Sequence, residues 1–214
     1  MTASPKKPPA LTAKKRPAQQ RSAETYERIL EVAALTLEDV GIERLSTNLI
    51  CERAGLTPPA LYQYFPNKYA VLSELGQRLM HQQNERVRQW ITPQALGGDA
   101  RQLAQALKGL ILDTHDVTRR FKGGVWVMRA MRAVPALQQV RLDSHRAVTQ
   151  QQIDFLLEAL PDVSPAHVFL VSRTVVELIY AAVEMLFDEE LAPEAVAELV
   201  AGMVASHMGH LPKG

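Results

Sequence analysis

The chain has 214 residues, 47% of them apolar and 22% charged, which fits one or two globular domains with a real core and excludes a fibrous or wholly disordered polymer. Lys and Arg total 24 against 23 Asp and Glu, so bulk charge points to no partner. A single cysteine, Cys51, excludes an intrachain disulfide and a cysteine-rich zinc site, and fits a reducing compartment.

Residues 1–21 hold Lys6, Lys7, Lys14, Lys15, Arg16 and Arg21, four prolines and no acid, leaving 18 bases against 23 acids in the rest of the chain. Such a segment buries too little surface to offset its ordering entropy, so it reads as a disordered basic arm. A basic arm on a mildly acidic body suits a polyanionic partner. No apolar run follows it, unlike a secretory signal. Helical periodicity then begins, with Tyr26, Ile29, Leu30, Ala33, Leu37 and Val40 at steps of three and four and Gly41 as a stop.

The stretch from Leu45 to Leu72 carries the most information. Ser46 can cap a helix that turns Ile50 and Ala54 inward, and Gly55 supplies the left-handed backbone of a tight turn. Thr57 can cap a second helix. Because Pro58 and Pro59 lack N–H groups, its hydroxyl is expected on the amide of Ala60. Leu61 and Phe65 face inward, Pro66 ends the helix and Asn67 caps the next. Two short helices around a Gly-centred turn form the pattern of a helix-turn-helix, whose second helix enters the DNA major groove.

A helix from Asn67 to about Trp90 should connect this module to the remainder. Later apolar stripes keep helical spacing: Leu103/Leu107/Leu110/Ile111, Val125 to Val134, and Ile153/Leu156/Leu157/Leu160. They are separated by Thr92-Pro93, Gly97-Gly98-Asp99, Pro135, Pro161-Asp162, Ser164-Pro165 and Ala192-Pro193. The expected class is all-α with about eight to ten helices: a basic arm over 1–21, a helix-turn-helix domain over 22–66 and a helical bundle over 67–214. The most hydrophobic run, Val168–Phe187, contains Arg173, Glu177 and Glu184, which reads as a buried bundle helix rather than a membrane crossing. Together these features predict a soluble cytoplasmic protein.

Residues 25–75, through Ser46-Thr47, Ala54-Gly55-Leu56-Thr57 and Leu61-Tyr62-Gln63-Tyr64-Phe65-Pro66-Asn67-Lys68, resemble the N-terminal domain of the tetracycline-repressor-like (TetR) family of transcriptional regulators. The resemblance implies a homodimeric repressor that releases a palindromic double-stranded operator when a small molecule binds the C-terminal bundle. It implies that Thr47 and Asn48 touch phosphate and base edge, that Pro58, Pro59, Ala60, Tyr62 and Gln63 form the recognition helix, and that Tyr64 and Lys68 grip the DNA backbone. Ser46 and Thr57 complete the expected DNA face. Asn48 stands where an Arg is common in the family, which favours adenine over guanine there. Leu49 and Cys51 also depart from the family pattern.

Physical reasoning bears on several of these roles. Lys68 falls in a first helical turn, where the dipole opposes a cation, and a nearby phosphate would offset that penalty. Residues 22–70 hold four bases and seven acids, so the folded module is no basic patch and the arm should supply much of the salt-dependent affinity. The arm's bland alternative is a solubilising tail.

For the effector, Phe121, Trp126, Met128, Arg129 and Met131 group adaptable apolar side chains with a cation, and His145, Glu177 and Tyr180 could add polar lining. That pattern predicts a largely apolar ligand, although the same spacing equally describes ordinary core. Dimerisation is expected through Val196, Leu199, Val200, Met203 and Val204 on the last helix. His207 and His210 find no third ligand, so no metal, cofactor or catalytic group is expected and the chain does not read as an enzyme. The alternative reading is a helical small-molecule or protein-binding module whose helix-turn-helix has lost DNA function.

Overall fold

The computed structural model describes residues 8–15, 20–159 and 162–210. In chain order the helices are α1 (Gln20–Arg44), α2 (Thr47–Ala54), α3 (Pro58–Tyr62), α4 (Lys68–Trp90), α5 (Pro93–Gly97), α6 (Ala100–Arg120) and α7 (Gly124–Ala133). A 3-10 turn (Pro135–Leu137) follows, then α8 (Gln138–Ala159), α9 (Pro165–Asp188) and α10 (Pro193–Gly209). No strand occurs among the described residues, and the fold is all-α as the periodicity requires. Gly41, expected to end α1, adopts φ 74° and ψ 174°, so it breaks the helix while a last turn continues to Arg44.

The chain divides into two compact units, Met1–Met80 with Phe121–Arg141, and His81–Arg120 with Leu142–Gly214. By sequence, therefore, α4 and α8 each contribute to both.

The first unit is built on α1. Tyr26, Ile29, Leu30, Ala33 and Leu37 are buried along one face, with Ile50, Ala54, Leu61, Phe65, Val71, Leu72 and Leu79. Each large side chain of this kind contributes about 1.5–3 kcal/mol by leaving water. Tyr26 stacks on Phe65 at 4.8 Å between ring centroids and meets Tyr64 edge-on at 5.7 Å. At the rim, Arg78 donates two hydrogen bonds to the Glu27 carboxylate, at 2.6 and 2.8 Å, and one to Glu74 at 3.1 Å. The Arg78 hydrogen bonds hold the Glu27 carboxyl below its ordinary value against the opposing effect of burial. Helix α7 packs against α1 in this unit, and its buried face is Gly124, Val127, Met128, Ala130 and Met131.

In the second unit α6 packs extensively on α10, and α9 lies against both. The Trp90 ring fills the space over Gly109, where a Cβ would come within 2.4 Å of it. Its indole N–H donates to Asp113 Oδ2 at 2.7 Å. Gln83 Nε2 donates to Thr118 Oγ1 at 2.7 Å, which satisfies a buried donor. Helix α9 is long and apolar enough to cross a membrane by length and composition, with a mean hydropathy of 1.5 over its best window. Its buried residues, including Val168, Val171, Val176, Ile179 and Val183, form the inner wall of the bundle.

Gly123 is the tightest backbone position of the first unit. Its φ is +65°, and a Cβ there would sit 2.6 Å from the Ala34 carbonyl oxygen. Gly123→Ala combines left-handed strain with overpacking, each costing on the order of 1–3 kcal/mol. Chemical denaturation of the full chain should show at least about 2 kcal/mol lost; a smaller loss would mean that the α1–α7 contact yields easily.

Candidate functional site

Helix α2 is defined at both ends by local chemistry. The Ser46 hydroxyl accepts from the Leu49 amide at 3.1 Å, and Gly55 closes the helix at φ 64° and ψ 38° while the Leu56 amide donates to the Cys51 carbonyl at 2.9 Å. Ile50, Cys51 and Ala54 are buried, and burial pushes the Cys51 thiol up. Helix α3 has only five residues. Leu61 and the following Phe65 are fully buried beneath it, leaving Pro58, Pro59, Tyr62 and Gln63 exposed.

One face therefore combines the start of α2 with α3. Ser46, Asn48 and Thr57 are exposed, and Thr47 and Ala60 are half-buried. Thr47 Oγ1 lies 3.1 Å from the Tyr62 hydroxyl, so the two helices are joined by a hydroxyl pair on that same face. Contrary to expectation, the Thr57 side chain caps nothing: the Ala60 amide donates to the Thr57 backbone carbonyl at 3.0 Å. The extended backbone of Thr57 already brings that carbonyl within reach, so its hydroxyl is not needed there.

Two of the expected DNA-facing residues are placed elsewhere. Tyr64 is only 6% exposed and packs edge-on against Tyr26, because it follows the last turn of α3 on the core side. Lys68 Nζ donates to the Ile42 and Leu45 carbonyls, at 3.1 and 2.8 Å. The ammonium ties down the end of α1 and the link to α2, and partial burial lowers its pKa.

Residues 1–7 and 16–19 of the expected arm lie outside the described residues, and Arg21 belongs to α1. Residues 8–15, expected to be disordered, are placed against the helix-turn-helix by three hydrogen bonds. The Lys14 amide donates to the Tyr64 carbonyl at 2.7 Å, Lys14 Nζ to the Tyr62 carbonyl at 3.2 Å, and Asn67 Nδ2 to the Ala10 carbonyl at 3.0 Å. No signal in the sequence marks this docking, since all three acceptors are backbone carbonyls that every residue carries.

The match to known proteins follows this module. Residues 29–75 match the family model described as bacterial regulatory proteins, tetR family. By that match the helix-turn-helix module is of the TetR family type. Over 54 residues it is 41% identical to the tetracycline repressor protein class C of Escherichia coli, a match that spans 25% of this chain and 25% of that one. The fold likeness extends further. A TetR-family transcriptional regulator from Streptomyces coelicolor aligns with a TM-score of 0.62 at 22% identity, covering 88% of this chain and 80% of that one. The SmeT–triclosan complex aligns with a TM-score of 0.64 at 19% identity, covering 86% and 91%.

The second unit contains an apolar cavity of about 40 Å³ between α4, α5, α6, α8, α9 and α10. Its walls include Val87, Ile91, Leu103, Leu107, Leu110, Val148, Leu156, Val171, Val176 and Val204, with no charged side chain among them. Ser172 is 4% exposed, lines the cavity, and its hydroxyl has no hydrogen-bond partner. A recess of about 350 Å³ beside Pro93, Gln151 and Phe155 shares Val87, Ile91, Leu96 and Gln152 with the cavity wall.

Of the expected effector residues, Tyr180 lines this cavity and the buried His145 stacks on it at 4.1 Å. Phe121, Trp126, Met128, Arg129 and Met131 belong to the first unit. Met128 and Met131 are buried there, with Met131 over Gly76, while the Arg129 guanidinium lies 5.1 Å from the Trp126 ring. Their helical spacing reflects the packing of α7. On α10, Leu199 and Met203 are 65% and 63% exposed, Val196 and Val200 are half-buried, and Val204 points into the cavity. Sequence reasoning did not assign the aliphatic walls from α6 and α9 to a cavity; their signals were the Leu103/Leu107/Leu110 stripe and the unusual apolarity of Val168–Phe187. Among the described residues no group of three metal-ligating side chains occurs.

Behind the cavity, His145 Nδ1 lies 2.9 Å from Glu177 Oε1, which also pairs with Arg173. Burial raises the Glu177 carboxyl, but the hydrogen bonds from His145 and Arg173 outweigh it and hold the group at about 2.

Two predictions follow from these contacts. Lys68→Met strips the Ile42 and Leu45 carbonyls of their donor. Thermal or chemical unfolding should show about 1–3 kcal/mol lost; an unchanged stability with weakened DNA affinity would return Lys68 to a phosphate role. For Glu177 the folded pKa lies below the ordinary 4.5, so its contribution to stability is complete above about pH 4.5 and lost as pH falls towards 2. Stability measured across that interval should fall less steeply in Glu177→Gln than in the parent; identical slopes would refute the assignment.

Proposed function

We propose that this chain is a DNA-binding transcriptional regulator that acts as a homodimer. In this reading it is a repressor that leaves a palindromic operator when a small, uncharged, largely apolar effector enters the bundle cavity. The observation that carries the DNA reading is the exposed row formed by Ser46, Asn48, Pro58, Pro59, Tyr62 and Gln63, with the half-buried Thr47 among them, over a fully buried Leu61 and Phe65. The family match over residues 29–75 supports it.

The chemistry of that row suits a duplex. Carboxamides can hydrogen-bond the N6 and N7 edge of adenine in two places, and Asn48 and Gln63 bring two of them to the face. The paired hydroxyls of Thr47 and Tyr62 can donate to phosphate, while the proline rings offer apolar contact to sugars and thymine methyls. A two-fold dimer would set two such faces one helical turn of DNA apart. The exposed Phe169, Leu170 and Leu178 of α9 and Leu199 and Met203 of α10 supply apolar surface for that dimer.

The effector reading rests on the cavity. Its 40 Å³ is well below the roughly 150 Å³ that holds benzene in an engineered protein cavity, so an effector must displace the walls. An uncharged lining selects against ions, because an unpaired buried charge is too costly. The unpartnered Ser172 hydroxyl offers one hydrogen bond to a neutral group. Helix α4 carries both Lys68, at the helix-turn-helix, and the cavity residues Val87 and Ile91, and is the covalent route from one to the other. The SmeT neighbour was solved as a complex with triclosan.

Selection of duplexes from a random library by the full chain tests the proposal. The expected outcome is a two-fold symmetric sequence. Asn48→Ala and Gln63→Ala should each relax preference at one position per half-site, worth about 1–3 kcal/mol, with the helical content unchanged. Recovery of no preferred duplex would favour the binding module whose helix-turn-helix no longer engages DNA.

A further inference from the structure

We propose that the segment 8–15 is a built part of the DNA interface, a strap that carries Lys14 and Lys15 to the phosphate backbone beside α3. This rests on the DNA-binding reading and adds to it a second element outside the helix-turn-helix.

The segment is held in place by a repeating contact. Pro9, Leu11 and Ala13 are half-buried while Pro8, Ala10, Thr12 and Lys14 are exposed, the two-residue alternation of an extended chain with one face against a support. Its anchors are main-chain groups and one side chain. The Lys14 amide bonds the Tyr64 carbonyl, and the Asn67 carboxamide works at both ends: Oδ1 accepts from the Ala70 amide at 3.0 Å, and Nδ2 reaches the Ala10 carbonyl. Two of the three bonds, the Lys14 amide to Tyr64 and Asn67 to Ala10, do not use the Lys14 side chain, so the segment keeps those two when that side chain is changed.

That side chain lands at a telling place. Its ammonium bonds the carbonyl of Tyr62, the residue whose phenol lies on the exposed face with Thr47. One bond engages one of three ammonium protons, leaving two for a phosphate. Lys15 follows directly and is exposed.

Charge accounting explains why such a strap is needed. Within residues 22–70, Arg53 is paired with Asp39 at 2.6 Å, Arg44 donates to the Val40 carbonyl, and Lys68 is committed to Ile42 and Leu45. Seven acids stand against the four bases there. A duplex carries one negative charge per roughly 1.7 Å of axis, so a net acidic module repels it at long range. The acid-free strap sets two positive charges, Lys14 and Lys15, against that net acidity beside α3.

The test is the salt dependence of binding, measured by fluorescence anisotropy between 50 and 200 mM salt on a duplex selected by the full chain. Each phosphate contact adds about 0.9 to the slope of log affinity against log salt. Lys14→Gln with Lys15→Gln should therefore flatten the slope by about 2–4 in a dimer, with the thermal midpoint unchanged, and Lys14→Arg with Lys15→Arg should restore it. Lys108→Gln with Lys122→Gln removes equal charge elsewhere and should leave the slope alone. An unchanged slope in the strap variant, or an equal change in the control, overturns the inference while leaving the regulator reading intact. A full chain that selects no duplex removes both.

Discussion

The proposed recognition surface depends on a five-residue helix that could not exist alone. Fixing a first helical turn is unfavourable in water, and isolated helices shorter than about 12 residues are marginal. Helix α3 persists because Leu61 and Phe65 are fully buried, with Phe65 stacked on Tyr26 of α1. Its inward side has no freedom left, so the outward side chains of Pro58, Pro59, Tyr62 and Gln63 are presented on a fixed backbone. Loss of the Tyr26–Phe65 stack would disperse that face without touching any residue on it. The same logic explains the cation of Lys68. It satisfies two carbonyls where α1 ends and α2 has not begun, and so keeps the two helices in register.

Electrostatics and packing divide the labour within this unit. The module uses its own cations internally, in Arg53–Asp39, Arg78–Glu27 and the carbonyl bonds of Lys68 and Arg44. Exposed pairs of this kind contribute little each, about 0–1 kcal/mol, and they orient helices more than they stabilise them. What remains on the outer face is mostly neutral donors and acceptors. Neutral groups of that sort discriminate base edges well and attract a polyanion poorly.

The sequence made the local grammar readable and the long-range destinations unreadable. Ser46, Gly55, Leu61, Phe65 and Asn67 follow from capping, turn and burial rules that act within a few residues, and the structure places each as those rules require. The carbonyl bonds of Lys68 were not legible because a flexible four-carbon stem can reach either solvent or a carbonyl more than twenty residues away, and spacing carries no record of the choice. The stripe Trp126 to Met131 was ambiguous for a related reason: helical periodicity reports that a face is buried without saying what it is buried against. The cavity was invisible because six helices share its lining, from one residue to several each, and its aliphatic residues look like core in their own helices. Composition also suggested that residues 8–15 would not order, yet three hydrogen bonds to a preformed surface suffice where a hydrophobic core is not available.

The dimensions of the cavity constrain how an effector could work. A ligand that binds two arrangements of a protein equally shifts neither, however tightly it binds. A largely aliphatic space of 40 Å³ admits little, so in the proposed scheme the packed arrangement has low affinity for an effector and an expanded one would hold most of it. The differential affinity needed for a switch thus arises from exclusion, with no special contact required. Opening the walls sacrifices dispersion contacts, and an entering apolar molecule replaces them; the Ser172 hydroxyl, buried without a partner at a cost of about 1–3 kcal/mol, would gain one. A charged molecule would recover neither term. In the proposed scheme, selectivity for neutral apolar effectors and the capacity to switch are consequences of the same tight, uncharged packing.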